Sequence, residues 1–200
     1  PHKGNGLSPS NTQYPLRFRP FKHVQDAAGN LFISDLENNV VWFWNKSGSP
    51  VTRLGQTIAA GTIQVVAGTG ESTSGPAGLP ALSSGLSSPR GLWYDDVGGI
   101  LYVAEYSGSK VKYIDSSGIV FLGMGGGNSH VDGDTAYNHD CNNPVDLAEY
   151  NNNLYITCYS HHRVKRWDLA TGLGYVVAGD GGNDVAGEDA NPPNSGMGPP

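Results

Sequence analysis

The residue types best suited to chemistry gather in the third quarter of the chain, where two cysteines lie among several histidines. If Asn151-Asn152 is a two-residue hairpin turn, Pro144 falls opposite Tyr159, and Cys141 comes close to the end of the strand that holds Cys158. A disulfide between the two cysteines is then sterically possible, and it would indicate an oxidising compartment. The alternative is a pair of free, buried thiols.

The same region carries side chains that zinc prefers as ligands. They are His130, His139, Cys141, Cys158, His161 and His162. Adjacent residues of a regular strand point to opposite faces, so His161 and His162 cannot both face one ion there, and polar loop histidines are the simpler interpretation.

Two acidic glycine-rich loops, Asp132-Gly133-Asp134 and residues 180–189, offer oxygen ligands for calcium but lack the spacing of an EF-hand. Solvated loops explain them more simply. We therefore expect no cofactor, with zinc and calcium as the alternatives.

Catalytic signatures are missing from the sequence. No pair of carboxylates, Ser/His/Asp set or metal triad has a diagnostic spacing. The run Gly123-Met124-Gly125-Gly126-Gly127 is not followed by the Lys-Ser/Thr pair of a phosphate-binding loop. The sequence therefore assigns no catalytic residue.

Two features suggest recognition at a surface. Asn45-Lys46-Ser47 is a sequon, which makes Asn45 a candidate for N-glycosylation on a loop. Trp42, Phe43 and Trp44 are consecutive, so at least one ring faces away from the others on a strand. These rings fill the space between sheets, or else Trp42 and Trp44 form a platform for a sugar or a peptide.

The composition indicates what kind of elements must position these residues. The chain has 200 residues, with 29 Gly, 13 Pro and 10 Tyr, and only 15% of its residues are charged. Gly and Pro punctuating aromatic and β-branched runs are typical of an all-β protein. The net charge of −6 argues against a nucleic-acid partner. The apolar stretches are far shorter than the roughly 20 residues of a membrane-spanning helix.

One strand pattern occurs three times, at residues 29–35, 99–105 and 152–158. Each copy is followed at constant spacing by a second apolar run and then by a third that ends in glycines, and each is preceded by a run that opens with proline. Four short strands per unit, repeated every roughly 50 to 70 residues, predict the blades of a β-propeller.

The strings Val66-Ala67-Gly68-Thr69-Gly70, Val177-Ala178-Gly179-Asp180-Gly181 and Ser88-Pro89-Arg90-Gly91-Leu92 resemble those of the NHL-repeat propellers over about residues 20–200. The resemblance implies a propeller fold. Some NHL-like propellers are lyases or hydrolases with a metal in the central channel, but the His-rich strand motifs of those enzymes do not occur here.

These patterns predict an all-β, partial β-propeller of three four-stranded blades, an open segment of a ring of about six. We expect an irregular lead-in at 1–19, blades at 20–70, 71–125 and 126–181, and a connector toward a further blade at 182–200. Three blades cannot close a ring, and each blade buries its faces against its neighbours. We therefore expect two exposed apolar end faces, covered by a continuation of the chain or by another copy.

The function that follows is a non-catalytic scaffold for protein–protein interaction or assembly, extracellular or on a cell surface. One alternative is an enzyme of lyase or hydrolase type, with a metal on the propeller axis and part of its site outside this chain. The other is a carbohydrate- or peptide-binding module that uses a loop at residues 48–62, which we expect to protrude from the first blade.

Overall fold

The computed structural model describes residues 19–179 and 181–182, together with Gly6 and Ser8. This part of the chain is built from short antiparallel strands, with two single-turn 3₁₀ helices at Ala136–Asn138 and Tyr159–His161. None of its helices has the length and apolar character needed to cross a membrane.

The first sheet has the order β1-β2-β3-β6, with a separate hairpin inserted between its third and fourth strands. The sheet strands are β1 (Pro20–Gln25), β2 (Leu31–Asp35), β3 (Val40–Trp44) and β6 (Ile63–Ala67), and the inserted hairpin is β4 (Val51–Arg53) with β5 (Gln56–Ile58). The β1–β2 turn forms because the Asp26 carboxylate accepts hydrogen bonds from the amides of Ala28 and Asn30.

The second and third sheets repeat this arrangement. Sheet two contains β7 (Pro89–Asp95), β8 (Ile100–Glu105), β9 (Lys110–Ile114) and β10 (Val120–Met124). Sheet three contains β12 (Pro144–Tyr150), β13 (Asn153–Cys158), β14 (Arg163–Asp168) and β15 (Leu173–Ala178), and the two-residue strand β11 (Asp134–Thr135) pairs with the outer edge of β15. The chain is thus a β-propeller segment in which each sheet is a blade.

The first strand of each blade lies closest to the common axis. Gly91 of β7 approaches β12 so closely that an added Cβ would lie 2.7 Å from the Asp146 Cα. Across the axis, the Lys22 ammonium of β1 lies 2.8 Å from the Asp146 carboxylate. Three inner strands therefore meet at one end of the blades, as the wedge shape of a propeller requires.

Each interface between blades is a separate apolar core, because alternate strand residues face opposite neighbours. The core between sheets one and two includes Phe32, Phe43, Leu92, Leu101, Val103 and Ile114. The core between sheets two and three includes Tyr102, Met124, Leu147, Leu154, Ile156 and Trp167.

Two expectations about the surface are wrong. The outward face of sheet one is buried, since Val40, Trp42, Ile63 and Val65 are at most 5% exposed, and the Gly6 amide donates to the Ile63 carbonyl at this face. The 48–62 segment does not protrude either. Its hairpin lies across the β9–β10 turn, where a Cβ at Gly55 would overlap the Ser117 carbonyl oxygen.

Candidate functional site

Trp42, Lys112 and Lys165 occupy the same position in the three blades, on the strand next to the repeated anchor strand. Each lies opposite the β-branched residue that follows the aromatic residue of the anchor strand. These residues are Ile33, Val103 and Ile156 in blades one, two and three. All three side chains are buried, so a position that is apolar in blade one carries a buried cation in the other two.

Lys112 is held by the connector between blades one and two. Its ammonium donates to the carbonyls of Gly75 and Gly85 at 2.7 and 3.1 Å and lies 3.3 Å from the Glu105 carboxylate. Glu105 also accepts from the Ser87 amide at 2.9 Å. Burial lowers the pKa of Lys112, while the charge of Glu105 opposes that shift. The pair therefore fixes the connector to the blade.

Lys165 makes the corresponding contacts to the connector between blades two and three. Its ammonium donates to the carbonyl of Asp140 and, at 2.7 Å, to the Asp140 carboxylate. The same carboxylate lies 2.9 Å from His130 Nδ1 and 3.1 Å from His161 Nδ1. We call Asp140, His130, His161 and Lys165 the Asp140 cluster.

The Asp140 cluster places one carboxylate beside one ammonium and two imidazoles. Burial lowers the pKa of Lys165, and Asp140 opposes that shift. Burial likewise lowers the pKa of His130; Asp140 raises it, but Lys165 and the neighbouring Arg163 lower it further. Because both oxygens of Asp140 are already engaged, the cluster serves to position the connector.

The predicted disulfide is present. Cys141 and Cys158 are bonded, with their Cα atoms 5.0 Å apart. Pro144 lies opposite Cys158 rather than Tyr159, because a β-bulge between Pro144 and Leu147 shifts the register by one residue. Cys158 stands where the other blades have Asp35 and Glu105, so in blade three a covalent bond takes the place of a buried carboxylate.

Two of the candidate zinc ligands, His130 and His161, come together at the Asp140 carboxylate, with ring centroids 5.8 Å apart. The two sulfurs are bonded to each other, which leaves neither thiolate to bind an ion. His162 is exposed in a left-handed conformation, with φ of 48°. Within the described residues, no group of three or more His, Cys, Asp or Glu side chains is placed to hold a metal.

His139 is buried beside the Asp140 cluster and packs against Gly174, where an added Cβ would overlap the imidazole. Its ring nitrogens make no well-formed hydrogen bond with the described part of the chain. Burial lowers the pKa of His139, the charge of Lys165 lowers it further, and the charge of Asp134 opposes these effects only in part. Protonation of this imidazole is therefore disfavoured in the folded protein.

In the described part of the acidic loops, the carboxylates accept hydrogen bonds from backbone amides. The Asp132 carboxylate accepts from the Val176 amide at 2.7 Å, and that of Asp134 accepts from the Thr135 amide at 2.7 Å. These bonds fasten the connector to sheet three. The second loop, at 180–189, lies outside the described residues except for Gly181 and Gly182.

Asn45, the candidate for N-glycosylation, lies inside the fold. Asn45 is fully buried, and its amide nitrogen donates to the carbonyls of Ser49, Ile58 and Ala59 at 2.8 to 3.1 Å. Its side-chain oxygen accepts from the Ser47 hydroxyl at 2.6 Å. The Asn-x-Ser spacing thus closes the loop before the inserted hairpin, and no exposed nitrogen remains for a glycan.

Trp42 and Trp44, the alternative platform for a sugar or a peptide, differ in their surroundings. Trp42 is 5% exposed, and its indole N–H donates to the Asp35 carboxylate at 3.2 Å. Trp44 is half-buried, with the Lys46 ammonium 5.6 Å from its ring centroid. Trp42 is therefore a core residue whose polar atom is satisfied, and it cannot present its face to a ligand.

A polar cleft of about 390 Å³ lies between the inserted hairpin and blade two. It is lined by Thr52, Arg53, Tyr94, Asp96 and Ser116 among others. The hairpin is fixed here because Arg53 forms a 2.6 Å ion pair with the buried Asp26. Burial raises the pKa of the Tyr94 phenol, so it remains protonated at neutral pH.

The outward face of sheet three differs from its counterparts. The corresponding residues in blades one and two are buried against the next sheet, whereas those of blade three are partly exposed. The buried pairs are Phe32 with Val41 and Tyr102 with Val111, and the partly exposed pair is Tyr155 with Val164.

Comparison with known proteins supports the fold. No protein-family model matches the chain, and no curated protein matches it in sequence. The structure is similar to an auxiliary nutrient binding protein from Bacteroides thetaiotaomicron VPI-5482, with a TM-score of 0.51 and 12% identity over 77% of this chain and 36% of that one. An auxiliary nutrient binding protein from Bacteroides ovatus ATCC 8483 gives a TM-score of 0.50 and 15% identity, over 77% and 36%.

A chain of a nidogen/laminin complex gives a TM-score of 0.50 and 16% identity, over 78% of this chain and 46% of that one. The chain thus spans less than half the length of each of these structures. Identities this low show a shared fold and nothing about activity. The specific resemblance to NHL repeats stays a prediction.

Proposed function

We propose that the chain is a non-catalytic β-propeller scaffold for protein–protein interaction or assembly, and that its first partner is a further blade packed on the outward face of sheet three. The observation that carries this proposal is the partly exposed pair Tyr155 and Val164, at positions that are buried in both preceding blades. The outward face of sheet three has the same strand pattern as the faces of sheets one and two on which the next blade packs. It is therefore suited to bind another blade.

The charged residues also favour a scaffold. Lys112 with Glu105, and Lys165 with Asp140, form ion pairs that attach connectors to blades. Buried charges that are paired and hydrogen-bonded within the fold add rigidity, and they are not free to act on a substrate. The disulfide of Cys141 and Cys158 supports a location in an oxidising compartment, such as the cell exterior or surface.

The test is to replace Val164 with Asp and measure the free energy of unfolding at several protein concentrations. If another blade covers this face, the buried charge lowers stability by roughly 2 kcal/mol or more. Val97→Asp is the matched control, because Val97 is 99% exposed at a turn and its replacement should be nearly neutral. A Val164→Asp variant as stable as Val97→Asp would contradict the proposal.

A second candidate function is carbohydrate binding in the cleft beside the inserted hairpin. The cleft combines the phenol of Tyr94, the hydroxyls of Thr52 and Ser116 and the carboxylate of Asp96, groups that suit a polyhydroxylated ligand. Saturation-transfer NMR with neutral monosaccharides tests it. Signals that persist in Asp96→Ala would argue against this site.

A further inference from the structure

The end of each blade carries a groove that receives the start of the next blade. In blade one, the Asn39 side-chain oxygen accepts from the Ser88 amide at 2.9 Å, and the Ser34 hydroxyl donates to the Arg90 carbonyl at 2.7 Å. Between these two contacts lies Pro89, the first residue of β7. The groove thus holds a residue-proline pair.

In blade two the groove holds Asn143-Pro144, the second of which begins β12. The Asn143 amide donates to the Ser109 hydroxyl oxygen at 3.5 Å, and its side chain donates to the Tyr106 carbonyl at 2.9 Å. The residue before proline has a left-handed backbone in both cases, with φ of 51° for Ser88 and for Asn143. Such a conformation is rare for residues other than glycine.

Blade three has the same groove at the corresponding position, with a volume of about 240 Å³. It is lined by residues including Thr157, Tyr159, His162, Val164 and Gly179. His162 occupies the position that Asn39 has in blade one and Ser109 has in blade two. In each blade, a Cβ added to the glycine that ends the blade would overlap the carbonyl oxygen of the residue at this position. None of the described residues provides a residue-proline pair here.

We propose that this groove binds a segment in which a residue with positive φ precedes proline, and that Gly198-Pro199 of this chain is that segment. The inference rests on the proposed function, because the segment would begin the blade that packs on sheet three. Glycine meets the conformational requirement better than Ser88 or Asn143 does, since it has no Cβ.

Sequence spacing selects this segment. Pro89 lies 21 residues after Gly68, the glycine that ends blade one, and Pro144 lies 19 residues after Gly125. Pro199 lies 20 residues after Gly179. The earlier pair Asn191-Pro192 comes only 13 residues after Gly179, which is shorter than either connector.

The rival occupant is the start of blade one from a second copy, Arg19-Pro20. The Arg19 carbonyl accepts from the Leu36 amide in its own sheet, as that of Ser88 accepts from Tyr106. A second copy could therefore offer a similar segment, but it would place arginine where the groove requires positive φ.

The experiment places a photoreactive benzoylphenylalanine at Thr157 in the full chain and identifies the crosslinked peptide by mass spectrometry. Thr157 is exposed in the groove, so the substitution leaves the core intact. We expect a crosslink within one chain to the peptide that contains Gly198 and Pro199. Gly198→Ile should reduce its yield about tenfold, because a β-branched residue resists positive φ. Gly196→Ile, two residues away, is the control and should leave the yield unchanged.

A crosslink between two chains that involves Arg19-Pro20 would overturn the assignment to Gly198-Pro199 and leave the proposed function standing. A native yield no higher than that of the urea-unfolded chain would overturn both. An equal loss of crosslink yield in Gly198→Ile and Gly196→Ile would also reject the assignment, because binding would then not depend on which glycine precedes the proline.

Discussion

Replacing Lys112 with Met tests whether the buried cation holds the connector between blades one and two. The Lys112 side chain is 1% exposed, and its ammonium contacts two carbonyls and one carboxylate. Removing one partner of a buried ion pair typically costs 3–5 kcal/mol, because the other charge is left uncompensated. Glu105 keeps its bonds from Ser87 and Ser74, which places the expected loss at about 3 kcal/mol, the lower end of that range.

The assay is urea unfolding followed by tryptophan fluorescence, with the midpoint compared at unchanged m-value. Lys110→Met is the matched control. Lys110 is half-buried two residues away on the same strand, and its loss should change stability by no more than about 0.5 kcal/mol. A loss below about 1 kcal/mol for Lys112→Met would refute the reasoning, as would equal effects of the two substitutions.

Three further predictions concern the connectors and the loop at Asn45. Because the pKa of His139 is lowered, the unfolded chain binds a proton at a higher pH than the folded chain does. The free energy of unfolding should therefore be greatest above the ordinary histidine pKa and fall by up to about 1.4 kcal/mol per pH unit below it. In denaturation series from pH 7.5 to 5, His139→Leu should flatten this fall more than His23→Leu does. Removing the disulfide with Cys141→Ala and Cys158→Ala together should cost about 3 kcal/mol for a crosslink 17 residues apart, and calorimetry that finds no loss would contradict this. Asn45→Ala should cost roughly 2 kcal/mol, because the carbonyls of Ser49, Ile58 and Ala59 lose their donor, whereas Ser83→Ala at an exposed position is expected to be neutral. Intact mass from a glycosylating host should show no glycan at Asn45, and an occupied site would refute its burial.

The repeated strands could be predicted from the sequence because period-two alternation and turn residues are local signals. Gly29 and Gly99 take positive φ in the turns that precede two of the anchor strands, as such turns require. The disulfide could also be predicted, since hairpin pairing brings Cys141 to Cys158 whether or not a bulge shifts the register by one residue.

The polar interior could not be predicted in the same way. Burial of Lys112 depends on carbonyls of a connector 27 and 37 residues distant, and nothing local in the sequence indicates them. The alignment of the three repeats does indicate that the two lysines are buried. Lys112 and Lys165 stand at the position of Trp42, a core aromatic residue. The burial of Asn45 could not be predicted for the same reason, because a sequon and an Asn-x-Ser motif that closes a loop are identical in sequence.

The three blades are wedges whose first strands meet at one axis. A zero-length carbodiimide crosslinker joins a lysine to a carboxylate only when they touch, so it can report the 2.8 Å contact between Lys22 and Asp146, which are 124 residues apart. Peptide mapping of the treated chain should recover a Lys22–Asp146 amide that disappears in Asp146→Asn. Coupling of Lys22 to other carboxylates, with none to Asp146, would contradict the arrangement of the blades.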